Sequence, residues 1–554
     1  MPVDICSDRP VAAPLPAGNT SGHPCGTTLD AETRCVSRPQ HHRVTRPKHA
    51  VVSVRAMSGP ARERVRERLR LGARTQLVGL DRRSLGFTDV VAQSVAVMAP
   101  CAAAATIPML LGQANAPLVW CVVTATVLCA LVASTLGVFA SRVVAPGALY
   151  TYAAKGLGPA AGAATAAAMT LGYGSLAMFT LSQTAAYGLR IFGLGAPSTL
   201  TTCLAVAGIA VVMGVVLIRG VRVSARVGLI IEAVAVAGLL TLVGVLVTRN
   251  WDHMSVRAAV AVPTGWSHYL AGVAVATCGI IGFESAATLS VEAKRPLRTI
   301  PRAINVSLAL GAVVVLIATL AQAGGANVLD GISALGEGNV DVLTESIGAS
   351  WVAPLVNLGV CASFLACALA STTALTRTLL SLAREGVLPG RLGYTHPRFK
   401  TPVVGVVVSL LVMVAVIVVS LAAGASESSM RGSMAAAPAI GFMVAYVLVC
   451  VAAPAFLRKT GELQRRAAVT AWLAAVGFGG ILVVFVATNI GGIWAPGIIG
   501  ALVWLALAAV GYGALRRVRP LVTAHMGIHE TPMRSEVFSG HLESDDAVSG
   551  GPSR

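Results

Sequence analysis

Charge is what this chain most lacks. Only 12% of its 554 residues are Asp, Glu, Lys or Arg, against 55% hydrophobic, and the mean hydropathy is +0.76. That is far too apolar for a soluble chain of this length. Several chemical signatures are missing as well. There is no G-x-x-x-x-G-K-[ST] loop to cradle the phosphates of ATP, and no H-E-x-x-H or G-x-S-x-G, so the commonest hydrolytic constellations are excluded. An enzyme is not expected, nor a cofactor. The eleven cysteines include no C-x-x-C pair and mostly fall inside apolar runs, which indicates no disulfide framework.

What the chain has in abundance is long apolar runs, and a hydrocarbon core of ~30 Å needs about 20 such residues per crossing. Runs of this kind occur at Val90–Leu111, Val119–Ala140, Ala160–Tyr187, Thr199–Leu217, Val223–Val247 and Ser267–Leu289. Six more follow at Ala303–Ala323, Trp351–Leu380, Val403–Ala422, Ala435–Phe456, Ala468–Ala487 and Gly497–Leu515. The expectation is an all-α polytopic membrane protein with twelve spans.

The net charge of +18 would suggest nucleic acid in a soluble protein. Here it collects in alternate loops. Arg142 and Lys155 follow span 2, Arg219 and Arg222 follow span 4, and Lys294, Arg295, Arg298 and Arg302 follow span 6. Further clusters follow spans 8, 10 and 12, whereas the opposite loops hold only Arg190, Arg249, Arg257 and Arg431. By the positive-inside rule both termini lie in the cytoplasm, the membrane is the cytoplasmic one, and no nucleic-acid partner is implied.

Residues 1–86 are basic, contain no apolar run long enough for a secretory signal, and read as a disordered cytoplasmic tail. A start at Met57 is an open alternative. Spans 1–5 then occupy residues 87–250, spans 6–10 residues 251–460, spans 11–12 residues 461–515, and a second cytoplasmic tail residues 516–554. Cys25 and Cys35 with His23, His41 and His42 are a weak metal possibility in the first tail, and plain tail residues are the better reading.

Two spans are interrupted. In span 1, Pro100 lacks an N–H and clashes with the preceding turn, so a kink or break is expected at Ala99–Cys101. In span 6, Gly279 and Gly282 precede the carboxylate of Glu284. An isolated carboxylate at that depth costs about 2.5–3.5 kcal/mol unless it is protonated, solvated or paired, which makes Glu284 a candidate for proton coupling. Glu232 in span 5 is the other candidate, although its place toward the cytoplasmic end favours pairing with Arg226 or snorkelling. Broken helices at equivalent places in two five-helix halves are the pattern of an inverted-repeat transporter. The external loop Gly324–Ser350 carries Asp330, Glu337, Asp341 and Glu345 and no cation, which would suit either a lid favouring cationic substrates or ordinary solvated acids.

Four segments in order, PGALYTYAAKGLGP at Pro146–Pro159, GFESAATLSVEAKRPLRTIPRAI at Gly282–Ile304, RTLLSLAREGVLP at Arg377–Pro389, and the end of span 10 through Tyr446, Pro454 and Lys459, resemble the amino acid–polyamine–organocation superfamily of permeases. The resemblance implies a leucine-transporter-type 5+5 inverted repeat with discontinuous helices 1 and 6, and helices 11 and 12 at the periphery. It also implies that a substrate carboxylate sits on backbone N–H groups at the helix-1 break and an amino group on freed carbonyls, so that Ala99, Pro100, Cys101 and Ala102 line one side of the site and Gly279, Ile280, Ile281 and Gly282 the other. Phe283 resembles the aromatic gate residue of relatives, Tyr173 lies where relatives face substrate, and Glu284 resembles the proton-sensing acid of arginine–agmatine-type exchangers. The chain departs from the glycine-rich helix-1 motif of many amino-acid permeases, which leaves a substrate without the carboxylate open, such as a polyamine.

The lysine that some proton-coupled relatives carry in helix 5 is absent between Val223 and Val247. Ser371 and Thr372 in span 8 are weak sodium candidates, since hydroxyls that bond back to their own helix are the better reading. The expected function is alternating-access transport of an amino acid or organic amine, coupled to protons and less readily to sodium, with the substrate among helices 1, 3, 6 and 8. A polyamine carrier and a membrane sensor signalling through its basic tail are the alternatives. Oligomeric state is not legible.

Overall fold

The computed structural model describes residues 80–527 apart from 114–116, 195–196, 250, 254–264, 325–344, 346–347, 349, 426 and 493. The first tail up to residue 79, its Cys and His residues, the end of the second tail and most of the acidic loop after span 7 lie outside the described residues.

Among the described residues twelve helical spans are present, as the apolar runs predicted. Span 1 is split into α1 (Phe87–Met98) and α2 (Pro100–Gln113); span 2 is α3 (Leu118–Ala140); a short α4 (Leu149–Leu157) precedes span 3, α5 (Pro159–Ile191). Spans 4 and 5 are α6 (Thr199–Arg219) and α7 (Val221–Arg249). Span 6 is α8 (Trp266–Cys278) followed by a 3₁₀ segment, Phe283–Leu289. Spans 7 to 10 are α9 (Pro296–Gly324), α10 (Ala353–Arg384), α11 (Val403–Ala422) and α12 (Glu427–Thr460). Spans 11 and 12 are α13 (Arg465–Asn489) and α14 (Ala495–Val518), and α15 (Pro520–Ala524) closes the described chain.

The spans sort into an inner and an outer group. Spans 1 and 6 are almost wholly enclosed by protein, whereas spans 4 and 12 turn most of their surface outward. The outward residues are themselves apolar, among them Leu204 and Val211 on α6, Val476 and Val483 on α13, and Leu507 and Val510 on α14. In water such faces would be a liability, but against lipid tails they need no cover. The interior is lined by small residues, which lets backbones approach closely. Gly172 and Gly441 meet where α5 crosses α12, with no room for a side chain on Gly441.

The PGALYTYAAKGLGP segment is more than a basic loop. It folds into α4, whose Tyr150 and Tyr152 are fully buried, and Gly158 with φ +100° turns the chain from α4 into α5. A second tie joins the ends of the two broken spans. Leu85 N–H donates to the Glu292 carbonyl at 2.9 Å and Lys294 N–H to the Leu85 carbonyl at 2.8 Å. This isolated parallel bridge couples the chain entering span 1 to the chain leaving span 6.

Candidate functional site

The break in span 1 falls where Pro100 predicts it. Ala99 takes a left-handed conformation, φ 44° and ψ 61°, and α2 restarts at Pro100. A new helix start exposes N–H groups that have no carbonyl partner in the helix. Proline has none to expose, so the need falls on Cys101 and Ala102. Cys101 N–H donates to Glu232 Oε1 at 2.9 Å, and Ala102 N–H to Ser363 Oγ at 3.2 Å. Glu232 is 2% exposed, and this overturns the expected pairing with Arg226. That arginine instead binds Asp89 at 2.9 Å. The error came from reading depth along the sequence, when rotation of α7 decides which neighbour a side chain meets.

In span 6, α8 ends at Cys278, and Gly279, Ile280 and Ile281 wind through tight turns on the carbonyls of Ala276 and Thr277. Gly282 then adopts φ +117°. A Cβ there would stand 2.7 Å from Val97 Cγ1 and 2.9 Å from Met98 N, so glycine is needed both for its conformation and for the contact with span 1. The chain resumes as a 3₁₀ segment rather than an α-helix, with Ser285 N–H on the Gly282 carbonyl at 3.0 Å.

Glu284 is the second residue of that segment and is fully buried. Its Oε1 accepts the Tyr173 hydroxyl at 3.0 Å. Its Oε2 accepts the Tyr446 hydroxyl at 2.6 Å and Gly282 N–H at 3.0 Å. The carboxylate thus gathers span 3 and span 10 onto the span-6 break, its donors among the described residues all neutral. A different arrangement holds eight residues on. Glu292 meets Arg377 of α10 in a two-pronged pair, at 2.8 Å to Nε and 3.0 Å to Nη2. The breaks also touch directly, Ser94 Oγ donating to the Phe283 carbonyl at 3.2 Å.

Between them lies a small cavity of about 40 Å³. It is far below the few hundred Å³ of an open ligand pocket. Of the residues expected at the substrate site, Ala99, Ala102 and Gly279 line this cavity. Pro100, Cys101, Ile280, Ile281, Gly282, Phe283 and Tyr173 lie close by but do not. The Cys101 thiol turns away to donate to the Ala235 carbonyl at 3.4 Å, and Phe283 packs on Tyr446 with ring centres 5.9 Å apart. Spans 1, 3, 6 and 8 all contribute walls, and span 10 adds Ala435 and Pro438.

Sequence reasoning missed Leu176, Phe179, Thr180, Phe364 and Cys367. One signal was there to be used: Leu176 and Thr180 lie three and seven residues beyond Tyr173, on the same face of α5. Ser371 and Thr372 are buried in α10. Thr372 donates to the Ala368 carbonyl at 2.7 Å and Ser371 faces Cys367 Sγ at 3.7 Å, so both engage their own helix. Among the described residues no group of three His, Cys, Asp or Glu side chains is placed to hold a metal.

Comparison with known proteins agrees with this architecture. The chain is similar to the branched-chain amino acid permease BcaP of Bacillus subtilis, 23% identical over 308 residues, 53% of this chain and 59% of the relative. It is also similar to the methylthioribose transporter of the same organism, 24% identical over 61% of this chain and 72% of the relative. Cationic amino acid transporter 4 of Mus musculus is 30% identical over 36% of this chain and 32% of its own length. The alignment with BcaP thus spans about three fifths of that protein. The Amino acid permease family model matches residues 85–514, which takes in eleven of the spans and most of the twelfth. The chain belongs to the amino acid permease family.

Proposed function

We propose that this protein is a secondary carrier that moves an amino acid or a related organic amine across the cytoplasmic membrane by alternating access, with Glu284 taking up the coupling proton. The observation that carries the reading is Glu284 itself, a fully buried carboxylate at a helix break, held by two tyrosines and a backbone N–H and by no cation among the described residues. A structural carboxylate is usually given a cation, as Glu292 is. One supported only by neutral donors can exchange a proton without stranding a partner charge.

The remaining support is architectural. The two broken spans face each other at the centre and sit first in each set of five, which fits a 5+5 inverted repeat. Tyr173, Tyr446 and Gly282 tie Glu284 to spans 3, 10 and 6, so a change in its charge bears on the same spans that wall the cavity. The distribution of basic residues among alternate loops supports cytoplasmic termini. Relatives named for branched-chain amino acids, cationic amino acids and methylthioribose define the solutes to try first.

The test is uptake into proteoliposomes of labelled amino acids and amines under an inward proton gradient, a sodium gradient, or neither. Proton-dependent accumulation of one group is expected. Saturable binding without flux under any gradient would replace the carrier with a ligand sensor, and sodium dependence would remove Glu284 from coupling.

A further inference from the structure

The N-terminus of α2 is a buried helix start beside the cavity, and such a start attracts anions because its N–H groups and dipole both point outward. In this chain it is already filled from within. Glu232 reaches over from α7, 131 residues away in sequence, to accept Cys101 N–H, and Ser363 accepts Ala102 N–H. The Ser363 hydroxyl stands beside the same carboxylate, while Glu232 Oε2 has no hydrogen-bond partner among the described residues. The arrangement lies one residue behind the cavity wall: Glu232, Cys101 and Ser363 do not line the cavity, but their neighbours Ala102 and Phe364 do, as does Ala99.

The surrounding charge is one-sided. No Lys, Arg or His lines the cavity. Arg226 and Arg377 are engaged by Asp89 and Glu292. Among the described residues, two buried carboxylates, Glu232 and Glu284, therefore stand near the breaks without a cation to offset either.

We propose that Glu232 is the site's own carboxylate, occupying the place at the α2 N-terminus that a ligand carboxylate would take, so that the cavity selects ligands with an ammonium group and no carboxylate. This rests on reading the cavity between the breaks as the ligand site. A ligand carboxylate must either displace Glu232 or share its donors, and either way two like charges occupy one buried site, which is strongly unfavourable. An ammonium group does the reverse. It donates to the unpartnered Oε2 and supplies the missing positive charge, while Ile107, Phe179 and Phe364 suit a hydrocarbon body.

The experiment measures binding to the purified full chain of amino acids paired with the amines they give on decarboxylation: arginine with agmatine, leucine with isopentylamine, phenylalanine with phenethylamine. In the wild type the amine of at least one pair should bind tenfold or more tightly than its parent. Glu232→Ala frees the Cys101 N–H for a ligand carboxylate and should lower that ratio at least tenfold. Glu232→Gln keeps an acceptor on Cys101 N–H while removing the charge, so it guards against a misfolded alanine variant; it should lose amine affinity without gaining affinity for the amino acid. A wild type that prefers the amino acids, one that binds no member of any pair, or a ratio unmoved in both variants would overturn the proposal. Amine preference in binding with no flux would overturn the carrier reading and leave this one standing; flux of amino acids with no amine preference would do the opposite.

Discussion

The two helix breaks solve one electrostatic problem in two ways. At span 6 the exposed Gly282 N–H is met by Glu284, two residues further along the chain. At span 1 the exposed Cys101 N–H is met by Glu232, from a different helix. The first solution is local and brings two tyrosines with it; the second is long-range and leaves one carboxylate oxygen unpartnered. Both differ from Glu292, whose charge is matched by Arg377. The difference separates two carboxylates held by neutral donors from one matched by a cation.

The largest effect should come from breaking the matched pair. Glu292→Ala leaves the Arg377 guanidinium, 1% exposed, without its counter-charge, and should cost about 3–5 kcal/mol of stability. Thermal unfolding of the detergent-purified variant measures this, and the double variant Glu292→Leu with Arg377→Met should recover much of the loss. A single variant as stable as wild type would show that the pair is dispensable.

Next is the contact between the breaks. Gly282→Ala places a methyl group against Val97 and the Met98 backbone at φ +117°, and strain and overpacking together should cost about 2–4 kcal/mol. A lowered melting temperature with reduced uptake is expected, and an unchanged protein would contradict the close approach of spans 1 and 6.

Smaller effects should follow from trimming the donors to Glu284. A hydrogen bond to a charged group contributes about 1.5–3 kcal/mol. The Tyr446 hydroxyl sits at 2.6 Å and the Tyr173 hydroxyl at 3.0 Å, so Tyr446→Phe should lower proton-driven uptake more than Tyr173→Phe, by roughly tenfold against a few-fold. The reverse order in initial rates would mean that Tyr173 is the principal support.

The smallest effect concerns a glutamate outside the membrane, which sharpens the comparison as a control. Glu385, just past α10, accepts Gly527 N–H at 2.9 Å, and Met526 packs on Tyr150, Ala166 and Leu382. Burial pushes the Glu385 carboxyl from its ordinary 4.5 up to about 7, although Gly527 N–H and Tyr150 act the other way. Docking of the segment therefore favours the protonated acid. It should be tightest below pH 4.5, weaken as the pH rises to about 7, and change little beyond. Exchange protection of the Gly527 amide, corrected for intrinsic pH dependence, reads this out, and Glu385→Gln should flatten it while leaving the pH dependence of uptake unchanged.

Much of the frame was legible because apolar runs of crossing length announce themselves, and because Pro100 and Gly279–Gly282 interrupt two of them in ways the backbone must obey. Glu284 was legible for the same reason, as a charge where none is cheap. Glu232 was legible as a charge in the same way, but its seat on Cys101 N–H was not, and neither were Phe179, Phe364 and Pro438. Helices bathed in lipid are apolar on both their inner and outer faces, so the pattern that reveals the inward face of a soluble helix is nearly absent. Which residue of α5 or α10 points at the breaks is then decided by packing between distant segments. The 3₁₀ course of Phe283–Leu289 was hidden likewise, since its small and apolar residues suit a helix as well.

The most direct test of the account compares wild type with Glu284→Gln in proteoliposomes, measuring exchange of labelled for unlabelled solute at equal pH on both sides and accumulation driven by an inward proton gradient. The account expects exchange to persist while proton-driven accumulation is lost. Accumulation at the wild-type level in the variant would contradict it, and the coupling group would have to be sought elsewhere.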